Sequence, residues 1–378
     1  MPLYSSTRGQ VKNITFEETV MMGLSEDGGL LIPNELPQVS NKLKEWRSLG
    51  YIELSLEIMN LFTYESIPKE DLKNIIQRSY KNFRHPKITP TKFVGKKHIL
   101  ELFHGPTYAF KDVALQFLGT LFEYFLSKRQ HPLRILGATS GDTGSAAING
   151  LNGKKGVEVY MLFPKGRVSP IQEKQMTTVL DSNIHNFAVE GSFDDAQSIV
   201  KKIFKDQEFK KNYYLASVNS INWARILAQI VYYFFSWLQI TKNESDLVNF
   251  IVPTGNFGNV LAGYYAKCMG LPIERLVIGT NENDILHRFF INGVYKRTEL
   301  KKTLSPSMDI QISSNFERYL FYLLGNSSEK LKLLMNTFEK SGEFKINNNL
   351  LKKAQKDFIS ANITDNEVVS TILKYYKE

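Results

Sequence analysis

Short apolar runs alternate with helical stretches along most of the chain. The apolar runs predict strands at residues 99–103, 133–138, 157–163 and most of 247–252, and the intervening patterns predict helices at residues 110–126 and 143–150. Near-continuous apolar strands that alternate with helices are typical of a parallel sheet covered on both faces. The pattern therefore predicts an α/β fold, in which ligands bind at the turns between strand ends and helix starts.

The beginning of the chain follows a different pattern. An extended start leads to a glycine-rich turn at residues 26–29, and helical stretches follow at residues 43–61 and 69–83. The alternation of strand, loop and helix begins only after them. We therefore predict an N-terminal region of mixed structure at residues 1–92 and a region of two α/β subdomains at residues 93–378.

Composition places the chain among ordinary globular proteins, with 43% hydrophobic and 22% charged residues. The single cysteine, Cys268, excludes an internal disulfide and a four-thiolate zinc site, and we expect no metal. The start of the chain does not resemble a secretory signal. The apolar segment Trp223–Ile240 contains Arg225, Gln229 and Gln239, which are costly in lipid. We therefore expect a cytoplasmic protein with no membrane partner, in which this segment is a buried core helix.

A net charge of +9 is compatible with binding to nucleic acid. The lysines are scattered, however, and neither an aromatic–basic stripe nor the spacing of a helix-turn-helix or zinc finger is present. We therefore expect no nucleic-acid partner. A weaker interpretation is that the charge attracts small anionic ligands such as phosphates.

The first turn with unusual chemistry has the sequence HGPTYAFKDVAL, residues 104–115. It places Lys111 at the entry of a helix, where a cation opposes the helix dipole. Taken alone, the turn is equally compatible with a surface lysine whose stem packs on Phe110. Lysine is also the residue that forms Schiff bases with carbonyl compounds once its pKa falls. Lys111 is therefore a candidate catalytic residue.

The second turn, GATSGDTGSAA, covers residues 137–147 and again joins a predicted strand to a helix. Its small residues allow a ligand to approach the backbone closely. Hydroxyls and free N–H groups at a helix start suit a carboxylate or a phosphate. Two glycines alone are weak evidence, because loops need them in any case.

The third turn, VPTGNFGNVLAGYYA, covers residues 252–266. Its loop residues would present successive backbone N–H groups to one anion. Its spacing matches neither the Walker motif nor the dinucleotide fingerprint, which argues against a nicotinamide dehydrogenase. Together the three turns offer a Schiff-base lysine, a loop for a carboxylate and a cradle for a phosphate. Pyridoxal 5′-phosphate supplies both an aldehyde and a phosphate, so it would satisfy the first and the third.

The same segments resemble those of the threonine synthase family. HGPTYAFKD is similar to the cofactor-lysine segment of that family, and SGDTGSAA and PTGNFGN are similar to its substrate loop and its cofactor-phosphate loop. SPIQEKQM at residues 169–176, SVNSINWARILAQ at residues 217–229, the extended start and the DGGL turn also match. The resemblance therefore covers nearly the whole chain.

This resemblance implies the pyridoxal-phosphate fold type II, with two open, mostly parallel sheets flanked by helices. Residues 1–92 would be the N-terminal region of the family, and residues 93–378 the catalytic region. The implied activity is that of a pyridoxal-phosphate-dependent carbon–oxygen lyase of threonine biosynthesis. It converts O-phosphohomoserine and water to L-threonine and phosphate by γ-elimination and β-addition.

The resemblance also implies roles for individual residues. Lys111 would hold the cofactor as a Schiff base and move protons, and Asp142 would lie beside the cofactor ring. The cofactor phosphate would be held by Gly255, Asn256, Phe257, Gly258 and Asn259. The substrate would be bound by Ser140, Gly141 and Thr143 near its carboxylate, and by Asn219, Ser220 and Arg225 near its phosphate. Read alone, Arg225 is equally a buried ion-pair partner.

Three departures from the family pattern bear on these roles. Asp142 stands where the wider fold family more often has asparagine, and an ionised carboxylate would repel a phenolate there, so we expect Asp142 to be protonated or turned away. Asn259 stands where aspartate is frequent, and we expect a mild effect. The family continues past a helix such as residues 368–376 into a Pro-His-Thr-Ala stretch that supplies a hydroxyl to the pyridine nitrogen. This chain ends at Glu378, so we expect the catalytic region to be incomplete at its C-terminus.

Two alternative functions remain open at this point. A related phospholyase would eliminate phosphate and release 2-oxobutyrate and ammonia. A truncated, inactive protein that binds pyridoxal phosphate or phosphate would fit the missing end, although Lys111 and both glycine-rich loops argue against it. The expected partner is the small molecule O-phosphohomoserine, and the expected state is a monomer or a homodimer.

Overall fold

The structure, a computed structural model, describes residues 1–377; the side chains of Gln207 and Lys210 lie outside this description. The strands in chain order are β1 (Tyr4–Ser6), β2 (Leu31–Pro33), β3 (Thr91–Val94), β4 (Lys97–Leu100), β5 (Leu133–Ala138), β6 (Val157–Pro164), β7 (Ile184–Val189), β8 (Leu215–Ala216), β9 (Val248–Pro253), β10 (Ile273–Thr280), β11 (Val294–Lys296), β12 (Glu343–Lys345) and β13 (Phe358–Asn362).

The helices in chain order are α1 (Phe16–Met22), α2 (Leu43–Trp46), α3 (Tyr51–Thr63), α4 (Lys69–Tyr80), α5 (Lys111–Leu126), α6 (Asp142–Leu151), α7 (Pro170–Thr177), α8 (Phe193–Lys205), α9 (Gln207–Asn212), α10 (Trp223–Ile240), α11 (Gly258–Cys268), α12 (Ile285–Asn292), α13 (Phe316–Leu323), α14 (Ser328–Ser341), α15 (Asn348–Asp357) and α16 (Asp365–Lys377). Short 3₁₀ turns lie at Ser40–Lys42 and Pro306–Met308.

Two parallel sheets form the frame of the molecule. One has the strand order β7-β6-β5-β8 and the other the order β13-β10-β9. The remaining pairs, β1-β2, β3-β4 and β11-β12, are antiparallel and two-stranded. Helices flank both parallel sheets, which confirms the predicted fold class. Three residues separate β5 from α6 and four separate β9 from α11, so both predicted glycine-rich loops follow strand ends.

The central helix of the core is α10. Every side chain from Trp223 to Trp237 is buried, and the helix packs against α3, α5 and α11. Asn222 caps its start, accepting a hydrogen bond from the Ala224 backbone N–H at 3.1 Å. The predicted core helix is therefore confirmed at the bounds expected from sequence. Among residues 1–377, no helix has the length and hydropathy that a membrane crossing requires.

Two predicted elements differ from those observed. The strand expected at residues 99–103 is β4, which ends at Leu100 and pairs antiparallel with β3 in a largely exposed hairpin instead of joining a parallel sheet. The helical stretch expected at residues 43–61 is divided into α2 and α3. Gly50 has extended backbone and is the N-cap of α3, so the helix is interrupted there. The apolar pattern of the sequence continues across this interruption.

Candidate active site

Lys111 and Asp142 form an ion pair at the adjoining starts of two helices. Lys111 is the first residue of α5 and Asp142 the first of α6, and Lys111 Nζ lies 2.6 Å from Asp142 Oδ2. Burial lowers the pKa of the Lys111 amine, although Asp142 opposes this shift, and Arg225 lowers the pKa further. A lysine with a lowered pKa more readily supplies the neutral amine that attacks a carbonyl carbon.

Asp142 is ionised and faces the lysine in this structure. Burial favours the neutral acid, but the Lys111 ammonium and hydrogen bonds from Ser307 and the Thr143 backbone hold the pKa of Asp142 below its ordinary value. The expectation that Asp142 is protonated or turned away concerns the carboxylate beside the cofactor ring and stays a prediction. The Lys111 ammonium, 2.6 Å away, stabilises the ionised carboxylate in this arrangement.

The loop before Lys111 is folded around the buried carboxylate of Asp112. Asp112 accepts hydrogen bonds from the Thr107 backbone N–H at 2.8 Å and from the Thr107 hydroxyl at 2.7 Å. The carbonyl of Thr107 accepts in turn from Gln175 of α7 at 3.2 Å. Tyr108 has a φ of 60°, in the left-handed region that a tyrosine rarely adopts. These bonds hold the backbone that delivers Lys111 to the site, and sequence analysis did not assign Asp112 to it.

The loop between β5 and α6 is closed by a threonine hydroxyl. Thr139 Oγ1 accepts from the backbone N–H groups of Gly141 at 3.0 Å and Gly144 at 2.8 Å. Gly141 has a φ of 145°, and a Cβ there would overlap the side chain of Gln172 from α7. Ser140 is exposed, while Thr143 is half-buried and its hydroxyl lies 3.4 Å from Asp142 Oδ1. The loop therefore places the predicted carboxylate-binding residues beside the Lys111–Asp142 pair.

The loop of residues 255–259 forms a cradle of unpaired backbone donors. Within residues 1–377, no hydrogen bond uses a backbone N–H of these five residues as its donor. Phe257 is the N-cap of α11 and has a φ of 64°, and it is almost fully buried. Unpaired N–H groups at a helix start attract an anion, because several donors and the positive end of the helix dipole meet there.

Asn259 contributes to this cradle through its backbone. Its side-chain oxygen lies 2.6 Å from the Tyr232 hydroxyl and 3.0 Å from the Tyr233 hydroxyl, both on α10. The side chain is therefore turned towards the core and tethers the start of α11 to α10. Because the residue is anchored away from the anion site, the asparagine found here changes the cradle little.

Arg225 places a buried guanidinium, not all of whose donors are paired, in the same region. It lies in the first turn of α10 and is 4% exposed, and its Nε and Nη1 atoms have no hydrogen-bond partner among the described residues. Burial lowers the pKa of Arg225 to about 10, against the effect of Asp142, so the guanidinium stays protonated near neutral pH. Buried guanidinium donors without partners are uncommon in folded proteins, which makes Arg225 a candidate anion-binding residue.

Residues 219 and 220 lie at the edge of the site. Asn219 uses its side-chain oxygen to accept from the Ile221 backbone N–H at 3.2 Å. The hydroxyl of Ser220 lies 3.2 Å from that of Ser314, which donates to the Asn256 side chain at 2.9 Å. The loop predicted for the substrate phosphate is therefore connected to the 255–259 loop through a residue that sequence analysis did not identify.

The segment from Ser305 to Arg318 is the part of the site that sequence analysis missed. Ser307 hydrogen-bonds Asp142, and its backbone oxygen lies 3.5 Å from the position of a Cβ built on Gly255. One residue therefore borders both the Lys111–Asp142 pair and the 255–259 loop. A signal was available in the sequence, because a Ser-Ser-Asn cluster at residues 313–315 stands directly before an apolar helix that contains an arginine.

These features fit pyridoxal phosphate. The amine of Lys111 suits its aldehyde, and the unpaired N–H groups of the 255–259 loop suit its phosphate. The buried guanidinium of Arg225 leaves donors for a second anion. In the described part of the chain, no three His, Cys, Asp or Glu side chains are grouped so that they could hold a metal ion.

Comparisons with known proteins find matches over nearly the whole chain. The family model for the threonine synthase N terminus matches residues 3–80, and the model for pyridoxal-phosphate dependent enzymes matches residues 98–330. The threonine synthase of Schizosaccharomyces pombe is 51% identical over 408 residues, covering 99% of this chain and 79% of that protein. The threonine synthase of Saccharomyces cerevisiae is 50% identical over 403 residues, covering 99% of this chain and 78% of that protein.

Solved structures show the same relationship in three dimensions. The crystal structure of threonine synthase from yeast superposes with a TM-score of 0.95 at 51% identity, covering 99% of this chain and 79% of that one. The pyridoxal-phosphate-bound threonine synthase from Brucella melitensis superposes with a TM-score of 0.94 at 44% identity, covering 97% and 79%.

Proposed function

The chain belongs to the threonine synthase family of pyridoxal-phosphate-dependent enzymes, and from this premise we propose how its own residues carry out the reaction of the family. That reaction converts O-phosphohomoserine and water to L-threonine and phosphate, so the protein is a carbon–oxygen lyase of threonine biosynthesis. The observation that carries the residue assignment is the mostly buried Lys111 amine, which pairs with Asp142. Through Ser307, this pair is linked to the unpaired donors of the 255–259 loop.

Lys111 anchors the cofactor and moves protons. Pyridoxal phosphate, when bound, supplies an aldehyde for a lysine amine and a ring that accepts the electrons released when protons leave the substrate. Once free, the Lys111 amine removes protons at substrate Cα and Cβ, because its lowered pKa leaves it available as a base. Asp142 keeps the resulting ammonium in place at 2.6 Å, ready to return a proton.

Two loops bind the two ends of the substrate. The turn at Ser140, Gly141 and Thr143 offers hydroxyl and backbone donors at the start of α6, where a carboxylate is favoured. Asn219, Ser220 and Arg225 take the substrate phosphate, with the unpaired Nε and Nη1 of Arg225 supporting this role. Charge that develops on the departing phosphate at Cγ is then stabilised by a preorganised guanidinium in a water-poor site.

The product reveals whether water is positioned at Cβ. The proposed carboxylate loop on one side and the proposed phosphate site on the other would retain the unsaturated substrate while water adds. We expect purified, cofactor-loaded protein to convert phosphohomoserine mainly to threonine and phosphate. A minor leak to 2-oxobutyrate should grow when Thr143 or Arg225 is replaced by alanine.

Amino-acid and keto-acid analysis of a completed reaction checks this expectation. Stoichiometric 2-oxobutyrate without threonine would identify a phospholyase. Recovery of unreacted phosphohomoserine from protein that carries its full complement of cofactor would identify an inactive binding protein.

Arg225→Ala tests the assignment of the substrate phosphate. The change removes one preorganised charge contact, so kcat/KM for phosphohomoserine should fall by about two to three orders of magnitude. Cofactor binding, followed by the visible absorption of the lysine-bound cofactor, should stay intact. Arg225→Lys serves as the matched variant, because it keeps the charge but loses the planar fork, and it should recover only part of the loss. If cofactor binding falls while the remaining holoenzyme turns over normally, Arg225 has a structural role instead.

The single cysteine supports a setting in a reducing compartment. We infer that the enzyme acts in the cytoplasm and has no nucleic-acid partner. The scattered distribution of its lysines supports the second point.

A further inference from the structure

We propose that Asn315, together with Ser313, is a positioning residue that aims the backbone N–H groups of the 255–259 loop at the cofactor phosphate. This inference rests on the function proposed above. Asn315 is the fully buried N-cap residue of α13 and has no role assigned to it above.

Asn315 joins two loops that are distant in sequence. Its backbone N–H donates to the Asn256 carbonyl at 3.1 Å, and its side-chain Nδ2 donates to the same carbonyl at 3.1 Å. Nδ2 also donates to the Ser220 carbonyl at 3.1 Å. A single carboxamide therefore sets the spacing between the proposed substrate-phosphate loop and the cofactor-phosphate loop.

Ser313 holds the neighbouring peptide group in the same way. Its hydroxyl donates to the Gly255 carbonyl at 2.7 Å. In a planar trans peptide, the carbonyl of one residue and the N–H of the next point in opposite directions. Since the carbonyls of Gly255 and Asn256 are turned towards the 313–315 segment, the N–H groups of Asn256 and Phe257 are turned away from it. These are two of the unpaired donors of the cradle.

Arg318 determines the orientation of the Asn315 side chain. Its Nη1 donates to Asn315 Oδ1 at 2.6 Å, which leaves Nδ2 facing the two loops. The other guanidinium donors bind the Leu31 carbonyl at 3.0 and 2.8 Å and the Ile221 carbonyl at 2.6 Å. Burying a cation costs free energy, so the contribution of Arg318 to stability does not by itself explain its presence in the core. Its guanidinium binds three separate chain segments, and holding them together explains it.

The left-handed backbone of Phe257 is consistent with this arrangement. A φ of 64° is unfavourable for phenylalanine and persists only when surrounding contacts enforce it. The ring of Phe257 is buried against Phe316, 5.2 Å away between centroids, and the carbonyl before it is held by Asn315. The donors are therefore in place before an anion arrives, which is what preorganised binding requires.

The decisive measurement compares two ligands that differ only in the phosphate. Pyridoxal phosphate and pyridoxal both react with Lys111, but only the first uses the cradle. We expect Asn315→Leu, which is similar in size and uncharged, to lower the ratio of pyridoxal phosphate affinity to pyridoxal affinity by about 10- to 100-fold, as for misdirected hydrogen bonds to a charged group. Equilibrium titration by absorbance gives both dissociation constants without relying on turnover.

Asn183→Leu is the matched control. Asn183 Nδ2 also bridges two backbone carbonyls, those of Leu151 at 2.9 Å and Val157 at 3.1 Å, but it lies away from the site. This variant should lose thermal stability and keep the affinity ratio. Ser313→Ala removes one hydroxyl with little risk to folding, and it should lower the ratio in the same direction as Asn315→Leu.

Three outcomes are distinguishable. If Ser313→Ala and Asn315→Leu lower only the melting temperature, as Asn183→Leu does, the 313–315 segment is structural and the positioning role is wrong. If Asn315→Leu does not fold, an unchanged ratio in Ser313→Ala has the same meaning. If the unmodified protein binds pyridoxal as tightly as pyridoxal phosphate, the cradle itself is wrong, and the assignment of the 255–259 loop falls with it.

Discussion

Replacement of Lys111 by alanine should abolish threonine formation and remove the visible absorption of the lysine-bound cofactor. Lys111 is expected both to anchor the cofactor and to move protons at two substrate carbons. Loss of a proton-transfer group alone lowers turnover by about 10²- to 10⁴-fold, and loss of the anchor adds to this. The side chain is partly exposed and packs at a helix start, so the variant should fold with its secondary structure retained. Absorption spectra, circular dichroism and product assays check these points together.

Lys111→Arg separates the covalent role from the electrostatic one. Arginine keeps a cation beside Asp142, 2.6 Å from Nζ in the present protein, but it does not form the Schiff base. It should therefore restore the stability that alanine loses without restoring the absorption or the turnover. An unchanged cofactor spectrum in either variant would contradict the assignment of Lys111.

Replacement of Gly258 by aspartate should lower the affinity for pyridoxal phosphate by about 10²- to 10⁴-fold. The new carboxylate would stand at the start of α11 among the donors proposed for the phosphate, and an uncompensated charge in a desolvated site costs about 3–5 kcal/mol. A Cβ at this position would come within 3.2 Å of Asn315 Nδ2 and 3.8 Å of the Ser220 carbonyl. The substitution therefore also crowds the contact between the 255–259 loop and the loop that contains Ser220. Titration of the apoprotein with cofactor measures the effect.

Two variants at the same position divide this effect into its parts. Gly258→Asn has the shape of aspartate without its charge, and Gly258→Ala adds only the Cβ. We expect affinity to decrease in the order glycine, alanine, asparagine, aspartate, with the largest step at the last substitution. Equal affinities for the asparagine and aspartate variants would show that crowding dominates. Unaltered binding in Gly258→Asp would refute the role of the loop.

Local pattern was sufficient for most elements that carry the chemistry. The strand β5 and the helix α10 were predicted at their observed bounds, because each is a predominantly apolar run. Lys111 was placed at a helix entry within one residue of the observed start. The predictions failed where the same apolar pattern was compatible with another arrangement, as at β4, which is part of an antiparallel hairpin.

Local pattern drew attention to three turns, and the resemblance to a known family supplied the roles of their residues. Asp142 and the 255–259 loop follow strands of the parallel sheets, whereas Lys111 follows the antiparallel hairpin of β3 and β4. What the sequence did not indicate was the partner of Asp142. The carboxylate pairs with a lysine that is 31 positions away in the chain and 2.6 Å away in space.

Long-range contacts set the remainder of the site. Arg318 binds carbonyls of residues 31 and 221, and Asn315 binds those of residues 220 and 256. Sequence periodicity reports which side chains face the core, but not which buried donor meets which distant carbonyl. The segments that carry Lys111 and the glycine-rich loops can therefore be identified from the sequence. The direction in which those loops point their N–H groups arises only when separate parts of the chain pack together.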